Sequence, residues 1–273
     1  MRRLINQHPG RGSALLFGAL PFVLILMAYL IGSAIRLQTN PNDKLLPSAA
    51  SMGHAVTHYA TEPSRRTGQI LLWADTAASL RRLALGVAIS AALGLVVGIA
   101  SGAVPYVGAG LGPVISALSL IPPLAILPVL FIVFGLGETA KVVLIVIGIG
   151  PFIARDIALR AGELPREQII KAQTLGASSW QTITRVILPQ MWPRLIDAVR
   201  LSLGAAWLFL IAAEAIAATN GLGYRIFLVR RYLAMDIIIP YVLWITFLAY
   251  VMDLGLRRLS RKAFPWYHTG AGR

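Results

Sequence analysis

The chain has 273 residues, of which 57% are hydrophobic and only 13% charged, and its mean hydropathy is +0.72. Soluble domains carry roughly 25% charged residues, so a water-soluble fold is excluded, and apolar runs near the ~20 residues that cross a bilayer core set the architecture. The net charge of +14 comes from Arg and Lys between apolar runs and at the C-terminus, without a basic, aromatic-interleaved recognition element, which argues against a nucleic-acid partner; absent Cys excludes disulfides and thiolate metal sites.

Read in chain order, the sequence predicts an all-α membrane protein with about six transmembrane helices. Residues 1–12 form a basic N-terminus with Arg2, Arg3 and Arg11, and residues 13–35 a first span too long for the apolar region of a signal peptide. Residues 36–82 read as an extracytoplasmic loop with short helices and turn signals at Asn40-Pro41-Asn42-Asp43 and Glu62-Pro63-Ser64. Further spans are expected at 83–103, 112–134, 141–157, 196–218 and 237–256, so that 83–256 is the core and 257–273 a basic tail. Six spans put both termini on one side, and the larger share of the Lys and Arg then selects the cytoplasm.

Within the second span, Ser90, Gly94, Gly98 and Gly102 recur every fourth residue, on one helix face that admits close approach of another backbone. Pro122, Pro123 and Pro128 remove backbone donors from the third, which is expected to be bent or interrupted. Freed carbonyls are tolerated at that depth only against protein or water, so this stretch lines a solute pathway or packs as a kink. In the fifth span, Trp207 is assigned to the same pathway. Glu214, set among apolar neighbours, either lines a cavity or is a satisfied Glu at the turn of Gly221 to Gly223. Asp197 and Asp253 lie near span ends and are expected to be wetted or paired.

Residues 158–194 are too polar for lipid, yet patterned. Residues 166–175 read as a helix that Gly176 stops, and Ser178 with Gln181 fits a capping box opening a second helix at 179–187, which Pro189 ends. Trp180, Ile183 and Ile187 share one side of that piece as an apolar knob, covered by a partner protein or laid on lipid headgroups.

The stretch Lys171-Ala172-Gln173-Thr174-Leu175-Gly176-Ala177, continuing to Val186-Ile187-Leu188-Pro189, resembles the EAA loop of binding-protein-dependent ABC importer permeases. In that family the loop forms a coupling helix that enters a cleft on the ATPase. The resemblance implies a type I importer permease with cytoplasmic coupling helices, and ATPase-coupling roles for Lys171, Ala172, Gln173, Gly176, Ala177, Trp180, Ile183 and Pro189. Lys171 stands where the family has Glu and Gln173 where it has the second Ala. Ser79-Leu80-Arg81-Arg82, Ile121-Pro122-Pro123-Leu124-Ala125, Phe134-Gly135-Leu136-Gly137-Glu138, Ala213-Glu214, Gly221-Leu222-Gly223-Tyr224 and Trp266 resemble landmarks of the nitrate, sulfonate and taurine type.

Such a permease resides in the bacterial inner membrane among lipid. It pairs with a second permease copy, a dimer of ABC ATPase subunits and a periplasmic or lipid-anchored binding protein. The chain has no G-x-x-x-x-G-K-[ST] loop, so ATP and Mg are expected on the ATPase, with no cofactor on this chain. His8, His54, His58 and His268 are scattered and form no catalytic set, so the chain itself is not expected to be an enzyme. The resemblance implies import of a small polar solute, a sulfonate, nitrate, or a urea-like or guanidinium compound; the last is preferred here, because residues 42–48 and the long outer loop resemble permeases associated with urea-carboxylase-type nitrogen metabolism. The alternative, an ion-coupled secondary transporter, needs coupling residues near the midplane, where Glu214 is the one candidate.

Overall fold

The computed structural model describes residues 10–40, 43–65 and 67–269; Arg2, Arg3, the Pro41-Asn42 turn signal and the last four tail residues lie outside them. The described chain is helical apart from one isolated antiparallel bridge between Pro63 and Ile70. Five helices are long and apolar enough to cross a membrane, and a sixth crossing results if one sharply bent pair counts as a single span.

Helix α1 (Arg11–Thr39) is apolar all round, and none of its most apolar window is buried in the protomer. It is tied to the following connection by Tyr29 Oη, which donates to the Pro47 carbonyl at 2.8 Å, and by Ser33 Oγ, which donates to that of Leu46 at 3.0 Å. The next helix, α2 (Ala49–Thr61), starts at Ser48, whose hydroxyl accepts the Ser51 N–H at 3.0 Å as an N-cap. Trp73 Nε1 donates to the Ala60 carbonyl, docking α2 on α3 (Leu71–Ala103).

At 33 residues, α3 is about 50 Å long, well beyond the ~30 Å hydrocarbon core. It starts at Leu71 rather than at 83, so residues 71–82, expected in the outer loop, are its first turns. Their polarity disguises them: Asp75, Thr76, Ser79 and Arg82 are buried and paired inside the protein. Farther along, Gly94, Gly98 and Gly102 face α6 (Glu138–Gly162). A Cβ on Gly94 would lie 2.6 Å from Ile153 Cγ2, and one on Gly102 2.4 Å from the Ala158 carbonyl oxygen. The four-residue spacing thus brings two backbones together, and Ile145, Ile149, Ile153 and Ile157 fill the seam as the centre of the core.

Between them, the expected single span at 112–134 is two pieces, α4 (Pro105–Leu120) and a 3₁₀ turn (Pro123–Ile126) running into α5 (Leu127–Phe134), meeting at 82°. Pro122 and Pro123 supply no N–H to the preceding turn, and Pro122 is extended, so the helix cannot continue. After α6 come the short α7 (Arg166–Thr174) and α8 (Ser179–Thr182), then α9 (Leu188–Ala217), α10 (Leu222–Arg230), α11 (Met235–Ala263) and α12 (Pro265–His268).

Pro189 does not end a helix. Residues Ser179–Ala217 form one 39-residue apolar helix. The turn Ile183–Ile187 is a π-helix in which the Leu188 N–H donates to the Ile183 carbonyl five residues back. This wider turn absorbs a proline whose ring would clash in an α-helical ladder, and Gln190 Nε2 donates to the Val186 carbonyl at 2.9 Å.

Candidate functional site: a glycine corner and an ion network

Two polar constellations stand at opposite ends of the helix bundle. The first is the corner α7–Gly176–α8, which follows the C-terminal end of α6 and leads into the N-terminal end of α9. Gly176 has φ +81°, and the Ala177 and Gly176 N–H groups donate to the carbonyls of Ala172 (3.0 Å) and Gln173 (2.9 Å). This is the complete Schellman closure, with glycine at the left-handed position. Ser178 then caps α8 reciprocally: its Oγ accepts the Gln181 N–H at 3.2 Å, and its N–H donates to Gln181 Oε1 at 2.8 Å. Because Ala172 and Gln173 act through backbone carbonyls, the departures at Lys171 and Gln173 leave the corner intact. Lys171 and Gln173 are exposed, Ala177 is half-buried and Pro189 is exposed as the second residue of α9.

The apolar knob differs from its expected composition. Trp180 is 72% exposed, but Ile183 is half-buried and Ile187 is buried against the bundle. In their place Leu175 (88% exposed) and Ile170 join Trp180 on the surface. Sequence reading missed these two because they belong to α7 and the corner, not to the helical stripe of α8. Gln190 Nε2 donates to Gln168 Oε1 at 2.9 Å, joining α7 directly to α9.

The second constellation gathers the N-terminal turns of α3 and α6, the C-terminal turn of α9 and the connection into α10. Glu214 is fully buried; it accepts from Ser79 Oγ (2.8 Å), Arg82 Nη1 (2.7 Å) and the Gly223 N–H (2.9 Å). Arg82 also donates to Glu138 through Nε (2.5 Å) and Nη2 (2.8 Å), and to Asn220 through its backbone and side-chain oxygens. Lys141 joins Glu138 at 2.9 Å. Beside them Asp75, 1% exposed, accepts from Arg225 Nε (2.8 Å) and the Gly221 N–H (2.9 Å). A Cβ at Gly221, where φ is +121°, would lie 2.5 Å from Glu214 Oε1, so glycine lets the connection close over the carboxylate. Glu214 therefore has the geometry of the satisfied Glu at the Gly221–Gly223 turn, not of a cavity-lining group.

At the helix break, a cavity of about 320 Å³ is bordered by Ser119, Pro123, Gly148, Phe152, Ser202 and Phe209 among others. Of the five residues assigned to a pathway, Pro123 borders it. Pro122 and Pro128 are exposed beside the break, while Trp207 is 4% exposed and its Nε1 has no partner within the described residues. Asp197 and Asp253 are paired, both with Arg200, at 3.2 and 2.8 Å. Tyr267 Oη donates to Asp197 at 3.0 Å, and burial, with Asp197 beside it, raises the phenol above its ordinary range.

Residues 90–264 match the family model described as the binding-protein-dependent transport system inner membrane component. The chain belongs to this family. The taurine transport system permease protein TauC of Escherichia coli is 39% identical over 196 residues, covering 72% of this chain and 71% of that protein. The nitrate import permease protein NrtB of Synechococcus elongatus is 31% identical over 149 residues, 54% of this chain and 53% of its own. An inward-facing structure of the MetNI methionine ABC transporter matches with TM-score 0.64 and 22% identity, covering 74% of this chain and 98% of that one, and shows a shared fold. This protein is thus an inner-membrane, multi-pass permease subunit of a binding-protein-dependent ABC importer, a family that works with an ATPase and a solute-binding protein, and its fold is that of a type I importer permease.

Proposed function

We propose that the permease imports a small sulfonate-type anion, with its α7–Gly176–α8 corner seated in the ATPase and its helix break on the solute pathway. The corner carries this reading: Ile170, Leu175 and Trp180 form an exposed apolar surface on a rigid, doubly capped turn, wired to α9 through Gln168 and Gln190. Apolar surface of this kind beyond a membrane span fits a protein partner. The corner then faces the cytoplasm, both termini share that side, and ATP and Mg belong to the partner.

The unpartnered α1 and the exposed apolar side chains Leu120, Val129, Ile132 and Val133 at the break suit a second permease copy and the surrounding lipid. Similarity to the taurine permease over most of the chain favours a sulfonate over nitrate or a guanidinium compound. The test is ATP hydrolysis by the complex reconstituted in proteoliposomes with its binding protein. Taurine or another alkanesulfonate is expected to stimulate hydrolysis and uptake; stimulation by guanidine or urea alone overturns the substrate class.

A further inference from the structure

A cavity of about 290 Å³ lies between the end of α3, the start of α4 and the last turns of α6, at the same end of the bundle as the coupling corner. Its border includes Ser101, Gly108, Gly112, Ser116 and Arg155. Arg155 borders it from α6 as an exposed cation near the end of a spanning helix, open to an anionic partner. Among the described residues it has none: the nearby acids Asp156 and Glu163 are both held by Arg160, at 3.6 and 3.5 Å.

The facing wall adds no charge, since residues 99–116 contain no acidic or basic side chain. It does add a donor. Ser101 Oγ is shielded from solvent and has no hydrogen-bond partner, which is costly for a hydroxyl unless a ligand or water satisfies it. Glycines keep the space open. A Cβ on Gly108 would lie 2.5 Å from the Ser101 carbonyl oxygen, so glycine draws α4 against α3, whereas a Cβ on Gly112 would meet nothing within 4 Å.

We infer that this cavity binds an oxyanion group, a sulfonate or a phosphate, through Arg155 and the Ser101 hydroxyl. Two carriers of that chemistry reach this depth: a soluble anion leaving the transporter and the headgroup of an anionic lipid of the adjoining leaflet. The inference stands on the cavity itself, independently of which solute is imported.

The test uses the permease purified with its ATPase. In lipid-depleted neutral detergent, labelled sulfate is titrated by equilibrium dialysis. Separately, the complex is extracted from nanodiscs of mixed phosphatidylglycerol and phosphatidylcholine, and retained phospholipid is counted by native mass spectrometry. Saturable sulfate binding without phosphatidylglycerol retention assigns a soluble anion; phosphatidylglycerol retention that displaces sulfate assigns the lipid.

In either case Arg155→Gln is expected to weaken binding by about tenfold or more, with partial recovery in Arg155→Lys. Gly112→Leu fills the cavity from open space and is expected to give the same loss with Arg155 in place. Binding of neither probe by the wild type, or equal binding by wild type and Arg155→Gln, overturns the site. Solute uptake persisting in the wild type then leaves the importer reading standing.

Discussion

Replacing Arg82 by Met isolates what the ion network contributes. Arg82 makes five hydrogen bonds, to Glu138, Glu214 and Asn220, and Met keeps the unbranched apolar stem of the side chain while deleting all of them. Glu214 then retains Ser79 and the Gly223 N–H but loses the one cation that pairs with it among the described residues, in a position with no solvent exposure. Leaving one member of a buried pair uncompensated costs about 3–5 kcal/mol. The bonds to Glu138 add little, because that carboxylate is 64% exposed and water replaces them. At a few degrees per kcal/mol for a chain of this size, the apparent Tm of the purified complex is expected to fall on the order of 10 °C. Arg82→Met combined with Glu214→Gln removes the stranded charge as well, and the double variant is expected to recover more than half of the loss. Scanning thermal denaturation in detergent, followed by tryptophan fluorescence, measures both. A single variant as stable as the wild type, or a double variant no better than the single, refutes the assignment of Glu214 to a charge-paired structural role.

Gly98→Val places a side chain 2.7 Å from Ile157 Cβ and 2.8 Å from the Ala154 carbonyl oxygen; the complex is expected to lose about 2 kcal/mol or more, read as lower folded yield and Tm. Gly176→Val forces a β-branched residue to φ +81°, costing about 1–2 kcal/mol locally. Hydrogen exchange at the Ala177 amide is expected to rise while exchange in α3 and α6 is unchanged. Ser178→Ala removes one half of the capping box, about 1 kcal/mol, and a modest fall in solute-stimulated ATP hydrolysis is expected with membrane insertion intact.

Hydropathy disclosed most spans, and the glycine spacing the face of α3 that another backbone approaches, because both are local patterns along the chain; that the partner is α6 was visible only in three dimensions. The start of α3 was hidden because Asp75, Ser79 and Arg82 look solvated in sequence, whereas their partners Arg225 and Glu214 lie more than 130 residues away. Pro189 reads as a helix stop by its chemistry alone; a π turn, visible only in three dimensions, carries the helix through it. The corner was legible from Gly176 and from Ser178 with Gln181, since capping depends on residues three or four apart. Its exposed surface was not, because Ile187 is buried and Leu175 uncovered by how α8 seats on the bundle. The bend at the prolines was expected, but its 82° magnitude is a property of the folded chain that proline chemistry alone does not set.

The docking of the corner on the ATPase is tested most directly by Trp180→Asp, which places a charge on a side chain that is 72% exposed and lies outside the hydrophobic core. Tagged permease is purified in neutral detergent, and the ATPase recovered with it is quantified alongside the amount of permease in the membrane. Loss of the ATPase and of uptake, with membrane levels unchanged, is the predicted result. Full recovery of the ATPase with normal uptake contradicts the account.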